Sequence, residues 1–385
     1  MGWVRTKALI TEQPPAPSLT RWLLAGVLVA IIGVLLFILH ASGTIKILSV
    51  MNIWWVSLMP AGCWLLIFCL RSYLWDKDLK AHQFLLKEAE YGQQQWEAWA
   101  GRWVAVLGSV VLLPDHISAA HWGSERPQQY GLARRINYLP AEEPVQLSAM
   151  HALLASTEEH VQCLPAELPL HVTLVTDNPS PELTSSFSNL WKELIPGRAV
   201  PDDITVTGSF SLSEVEERLK QPVLTVKLLL VIQLNGGAAY SDGLAALLLT
   251  SDAVAQKYHL PHLSKLLRPM PLDMTNFEDD ITLFLETQTI ACRTSSVIGD
   301  AKKWTERSAA LITQGGKMHA PWKAEDIALL EKWCGIPGPA APWLLTALAV
   351  DLVSLRKQPL LALFSTKTEH FISTITPGSE DEYTG

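Results

Sequence analysis

Residues 22–39 and 53–70 are each eighteen-residue apolar runs, the second broken only by Ser57, Pro60 and Gly62. A helix rises 1.5 Å per residue, so each run reaches about 27 Å, against a hydrocarbon core of about 30 Å. No soluble core needs two such runs side by side, and the pair predicts a two-helix transmembrane hairpin. A cleaved signal peptide fits badly: a polar, Pro-rich tail precedes the first run, and His40, Ala41, Ser42 and Gly43 lead on towards a second span. Trp22, Trp54, Trp55 and Trp75 stand near span ends, where indole rings favour the wet interface.

Positive loops resist translocation. The tail carries Arg5, Lys7 and Arg21, the stretch after the second run carries Arg71, Lys77 and Lys80, and the connecting loop has only Lys46. Both ends are therefore expected in the cytoplasm, in a multi-pass protein of a bacterial inner membrane. Of five cysteines, Cys63 and Cys69 lie in the second run; Cys163, Cys292 and Cys334 remain, an odd set without framework spacing that fits reduced thiols. The expected layout is a cytoplasmic tail (1–21), the hairpin (22–74, spans 22–39 and 53–70), a juxtamembrane helix (75–102), a cytoplasmic α/β domain (103–377) and a disordered acidic tail (378–385). Residues 1–80 hold seven Lys or Arg against three Asp or Glu, and the rest of the chain holds 23 against 35. A body this acidic, without a basic stripe, argues against nucleic-acid binding, which works by displacing counterions.

The body alternates strands and helices. Residues 103–113 are β-branched and apolar up to Pro114, which reads as a buried strand; 115–142 are polar and read as loop or a short strand pair. Helices are expected at 144–161, at 181–194 behind Ser180 and Pro181, and at 211–220, where Ser211 and Glu214 have capping-box spacing. Strands are expected at 170–175, 204–206, 225–234 and 243–250, the last two joined by a turn-rich 235–242. Residues 226–232 are so continuously apolar that both faces must be covered. Then come helices at 278–291 behind Asn276, at 305–314 and at 325–334, a Pro/Gly loop over 335–342, a core helix over 343–355 and a closing strand over 360–376. A layered α/β body follows, its sheet sandwiched by helices.

Chemistry-bearing residues are sparse. His259 and His262 form an i, i+3 pair, but Pro261 breaks a helical face and no carboxylate or Cys stands at ligand spacing, so a surface turn is expected. Glu278, Asp279 and Asp280 open a helix, where acids complement the dipole, and read as that rather than as a metal cluster. Asn235, Gly236 and Gly237 read as a turn, since neither G-x-G-x-x-G nor G-x-x-x-x-G-K-[ST] occurs, nor G-x-S-x-G nor H-E-x-x-H. No catalytic, cofactor-binding or metal residue is assigned and no cofactor is expected. Cys163, just after His160 and before Pro165, is the one candidate nucleophile, with His259 and His262 as conceivable partners. Cys292 and Cys334 are expected on buried helix faces. Fifteen tryptophans exceed the usual allowance; Trp96, Trp99, Trp103 and Trp122 fit core packing, a bilayer surface or a partner interface.

The strand pair within 224–251 closing a first half, then the Gly/Pro loop, small-residue helix and final strand within 335–376, resembles the layout of the thiolase superfamily, as in β-ketoacyl synthases, over residues 144–377. That resemblance implies acyl chemistry by a thiolate at a helix N-terminus assisted by two histidines. Here no Cys opens a helix in the first half and the loop before the core helix holds no His, so the body is expected to be a pseudoenzyme. The general character of the chain also resembles the accessory inner-membrane proteins encoded with type VI secretion systems, including adapters that help load a lipase effector. This implies a non-enzymatic adapter that recruits a protein partner at the bilayer, tethering raising effective concentration. The alternative is a membrane-bound acyl- or lipid-processing enzyme with Cys163 as nucleophile, and a third reading is a structural subunit of an envelope complex.

Overall fold

Both apolar runs fold as helices, α1 (Leu19–Ala41) and the first part of α2 (Ile53–Ala100), each long and apolar enough to cross a membrane. The computed structural model describes residues 2–43, 52–122, 130–140, 144–221 and 223–378. It divides into two compact units, Arg5–Gln95, and Met1–Val4 with Trp96–Gly385. Within the first unit, α1 and α2 run antiparallel. A Cβ on Gly33 would meet the Ser57 carbonyl oxygen at 2.7 Å, Trp64 covers Gly26, and Trp22 meets Phe68 edge-on at 5.3 Å. Small residues let the backbones of the two helices approach closely. Leu24 and Leu66, 67% and 69% exposed, point away from the helix pair.

The juxtamembrane helix expected at 75–102 is no separate element but the continuation of α2, which runs for 48 residues with Pro60 inside it. The N-terminal tail lies along this helix: Trp75 Nε1 donates to the Pro14 carbonyl at 3.3 Å, and Arg5 bonds Gln93. Nine residues at about 3.3 Å each span the same length as the eighteen helical residues between Trp75 and Gln93 at about 1.5 Å each. The tail is thus extended, and its tip belongs to the second unit, where Trp3 is buried against Trp99 and Phe284 at ring distances of 5.0 and 5.7 Å.

The second unit begins with β1 (Trp103–Leu112) and continues through α3 (Val145–Gln162), β2 (Leu170–Thr176), α4 (Glu182–Leu194), β3 (Asp203–Thr207), α5 (Ser213–Lys220), β4 (Val226–Gln233) and β5 (Gly243–Ser251). After the short α6 (Asp252–Lys257) follow β6 (Ser264–Leu267), β7 (Met270–Pro271), α7 (Phe277–Thr287), β8 (Val297–Gly299), α8 (Ser308–Lys317), β9 (Ile327–Leu329), α9 (Leu330–Cys334), α10 (Ala341–Arg356), β10 (Leu360–Ser365) and β11 (His370–Pro377). One sheet holds them in the order β3-β2-β4-β5-β1-β6-β11-β10-β8-β9. The order contains a repeat. In the first half β2 runs parallel to β3 and β4, β4 is antiparallel to β5, and β5 to β1; β8, β9, β10, β11 and β6 repeat the same pairings, and an antiparallel β1–β6 pair joins the halves.

Strand β5 is buried throughout and shows why both faces are covered. Ala245, Leu247 and Leu249 face α5 and α10, while Leu244, Ala246 and Leu248 face α3 and α4, as the period of two requires. Helix α10 packs on β1, β5, β10 and β11, and α7 and α8 cover the outer face of the second half through Val297, Leu361 and Ile372. The body is therefore the layered α/β arrangement expected, with α10 as its central helix.

Several boundaries differ from expectation. The helix expected at 325–334 contains β9, drawn into the sheet by parallel pairing of Ile327–Leu329 with Val297–Gly299. The strand expected over 360–376 is a hairpin of two, β10 and β11. Ser211 and Glu214 form no capping box: α5 starts at Ser213, and the Ser211 hydroxyl donates to Glu369 at 2.7 Å. The described part of 115–142 holds 3-10 turns at Pro114–His116 and Ala119–His121 and no strand; residues 123–129, 141 and 142 lie outside the described residues. Gly378 is tied down through its N–H to the Leu263 carbonyl, and the acidic tail beyond it lies outside the described residues.

Candidate functional site

Parallel strands end in loops that leave a crevice where neighbouring connections diverge, which is where open α/β sheets place their ligands. Here the C-terminal ends of β2, β3, β8 and β10, with the loop before α10, enclose a cavity of about 810 Å3 at the seam of the two halves. Thr176, Asp177 and Gly208 line it from the first half, Ala301, Lys303, Ser365 and Thr366 from the second, and Ile336–Pro339 close one wall.

Its polar groups are held by specific bonds. Asp177 accepts from the N–H groups of Leu234 and Asn235 at 3.0 and 2.7 Å, from Asn235 Nδ2 at 3.0 Å and from the Tyr240 hydroxyl at 3.1 Å. That ties the Asn235 turn to the rim of the cavity. Asp300, fully buried one residue beyond β8, accepts from the Trp304 indole at 2.9 Å and from the Ser365 hydroxyl at 2.6 Å. Burial pushes its carboxyl up to about 6 despite these donors and the nearby charge of Lys303, which pull the other way. Lys303 Nζ donates to the Thr366 carbonyl at 3.3 Å and to His370 Nε2 at 3.0 Å. An ammonium has no acceptor, so this contact assigns His370 as neutral with its proton on Nδ1. Burial, then the charge of Lys303, lowers the His370 affinity for a second proton; burial likewise lowers that of Lys303, opposed by Asp300. An amine, an imidazole and a carboxyl thus meet beside one cavity, with the carboxyl raised and the amine and imidazole lowered in proton affinity, so that burial favours the uncharged form of each, a pattern found at acid–base sites.

The residues singled out from sequence lie elsewhere. Cys163 is the exposed C-cap of α3, beside the N-terminal end of β2, whereas the cavity opens at the other end of that strand. Six residues at about 3.3 Å each put these ends about 20 Å apart. His262 is no surface residue: it is 6% exposed and stacks on Trp103 of β1, three strands across the sheet from β2, so Cys163, His259 and His262 form no constellation. Asp280 is buried and accepts the Asp273 N–H at 2.6 Å, and Glu278 accepts from Gln314 at 2.9 Å. Among the described residues no group of three His, Cys, Asp or Glu could hold a metal. Cys334 is buried, as expected, and Cys292 half-buried; all five cysteines are free thiols. Asp300 and Lys303 follow β8, which at three residues leaves no periodicity to read, and Ser365 and His370 lie within the segment that reads as one strand, with no motif to mark them. Asp177, one residue past the well-marked β2, was findable by the strand-end rule.

No family model matches the chain, and no curated protein matches it. Solved structures do. A chain from the complex of a type II PKS acyl-carrier protein with its ketosynthase is 11% identical with a TM-score of 0.49, covering 71% of this chain and 99% of that one. OleA of Xanthomonas campestris with bound cerulenin is 9% identical with a TM-score of 0.47, over 73% and 98% of the two chains. The 3-oxoacyl-(acyl-carrier-protein) synthase III of Aquifex aeolicus is 15% identical with a TM-score of 0.42, over 71% and 99%. At these identities the likeness is one of chain arrangement and says nothing of substrate. The expectation of a body that is not an enzyme is nevertheless corrected: the chains of similar arrangement include a ketosynthase and a synthase. The lack of Cys and His at thiolase-like positions is no ground for a pseudoenzyme when other titratable groups line the seam. None of these three is a secretion accessory protein, and the recruitment role gains no support from them.

Proposed function

We propose that this chain is a membrane-anchored enzyme that processes acyl or lipid substrates in the seam cavity, with Lys303 and His370 as its proton-handling pair. The observation that carries the reading is Lys303, which lines a cavity of about 810 Å3 and is backed by His370 and the buried Asp300, a volume within the range of small-molecule sites. Lys303 supplies a positive N–H to a substrate carbonyl oxygen, where negative charge grows during acyl transfer or condensation. His370 fixes the ammonium and takes up a proton once the amine turns towards substrate. Asp300 keeps a nearby counter-charge, and its bonds to Ser365 and Trp304 hold the cavity floor. Cys163 takes no part.

The acyl class draws support from the two apolar helices, which keep the body where amphipathic substrates collect. Placement in a bacterial inner membrane with tail and body in the cytoplasm is supported by the Lys and Arg bias. It is supported too by the shared unit of Met1–Val4 and the body, which requires an even number of crossings between them.

The test is turnover by the detergent-solubilised full chain, followed by mass spectrometry on a panel of acyl thioesters and phospholipids. Wild type and Cys163→Ser should convert the same substrate at similar rates, while Lys303→Met, shown folded by circular dichroism, should lose about 100-fold or more, the usual worth of a positioned acid–base or oxyanion group. Loss of activity in Cys163→Ser with retention in Lys303→Met would overturn the assignment, as would no turnover of any substrate by wild type.

A further inference from the structure

We propose a second site, independent of the seam cavity: a pocket for a phosphate-like oxyanion on the first half, formed by Arg218 and His171 and flanked by Lys227. His171 on β2 and Lys227 on β4 are directly opposite in register, so their side chains share a sheet face. That face is the one covered by α5, since Val175, Leu229 and Val231, at even spacings from them, pack with Val215 and Leu219. Arg218 of α5 lies over it. Between them is a cavity of about 100 Å3 lined by His171, Arg218, Val223, Thr225 and Ser251. One water takes about 30 Å3 of liquid volume, so the space suits a group of several heavy atoms.

The cations there lack partners of opposite charge. Arg218 makes no hydrogen bond or ion pair among the described residues; burial makes its charged form less favourable, opposed by the charge of Glu214. Lys227 has its ammonium over the Phe210 ring at 4.7 Å, and burial together with Arg218 makes its charged form less favourable. The acids nearby do not answer this. Asp203 is engaged by His171 Nδ1 at 3.2 Å, and Glu214 acts on both cations through space without an ion pair to either among the described residues. Arg218 and Lys227 repel each other, and cations held partly away from water without an ion pair cost free energy. A tetrahedral oxyanion answers both cations, with the Arg218 fork as the donor lining the pocket and the Lys227 ammonium as a flanking positive charge; His171, whose Nδ1 faces Asp203, adds an Nε2–H donor only when its ring carries both protons. The donor set fits a terminal phosphate, whether free or on a lipid headgroup.

The experiment is thermal unfolding and titration calorimetry of the full chain in zwitterionic detergent, with inorganic phosphate as probe, chloride at matched ionic strength as control, and mixed micelles containing phosphatidic acid as a second arm. Phosphate should raise the melting temperature saturably while chloride does not, and Arg218→Gln and Lys227→Met should each lower affinity about tenfold or more. Response to phosphatidic acid micelles but not to phosphate would assign the lipid source. A phosphate effect that both variants retain, or no response to either probe, would overturn the site. Because the variants may shift stability themselves, Lys303→Met serves as the reference that must keep phosphate binding whatever its activity.

Discussion

Asp300 offers the sharpest test of how the seam is built. It is fully buried and its carboxyl is pushed up from 3.8 to about 6, chiefly by burial. The folded state therefore holds the proton more tightly than the unfolded one. Its contribution to stability is fully present below about pH 4 and is lost as pH rises through about 6. Two units at about 1.4 kcal/mol each put the loss at about 3 kcal/mol. Asp300→Asn keeps the shape and removes the titration. Its amide also turns an NH2 towards one of the donors from Trp304 and Ser365, an unmade bond worth about 1–3 kcal/mol. The variant should be the less stable protein at pH 4, and the gap should narrow or reverse by pH 7. Urea unfolding of the detergent-solubilised full chain, followed by tryptophan fluorescence at half-unit steps from pH 4 to 7, measures the gap directly. Other titrating groups, Asp351 among them, are common to both proteins and cancel in the difference. A gap that stays constant over this range would refute the reasoning that burial, rather than the Trp304 and Ser365 donors, governs Asp300.

The remaining predictions are briefer. Burying an indole such as Trp3 removes about 150–250 Å2 from water, worth about 4–6 kcal/mol, but ordering four terminal residues costs about the same. Trp3→Ala should therefore free residues 2–4 to rapid amide exchange while moving the global midpoint little; a collapse of global stability would show the N-terminus to be part of the core. Gly335 has φ +85°, and a Cβ there would lie 2.2 Å from the Leu132 carbonyl oxygen, so Gly335→Ala should cost about 3 kcal/mol or more by denaturant titration, since backbone cannot yield. Asp351 on α10 is pushed up from 3.8 to about 7 by burial, opposed by the Ser109 hydroxyl; its stability contribution is full below about pH 4 and lost as pH rises to about 7, so Asp351→Asn should gain on wild type between melting curves at pH 4 and above pH 7.

Much of the fold could be read from local pattern. The near-continuously apolar strand β4, broken by Lys227, the strand β5 and the small-residue helix α10 carry their burial in their own composition, because a segment apolar on both faces has to be covered on both. The alternation of helix and strand over 144–251 was legible for the same reason. Strands β6, β8 and β9, of four, three and three residues, were not, since so short a segment becomes a strand only when a neighbour supplies its hydrogen bonds. The candidate site fell in that gap. Asp300, Lys303, Ser365 and His370 are spread over seventy residues and match no motif; they meet only because the repeat of the first half's strand order brings the ends of β8 and β10 to the seam. Cys163 and the His259–His262 pair show the converse: residue types that suggest chemistry in a line of text were carried by the same topology to separate places in the sheet. Composition determined which segments had to be buried or spanning; only the register of strands far apart in the chain decided which charges would share a cavity.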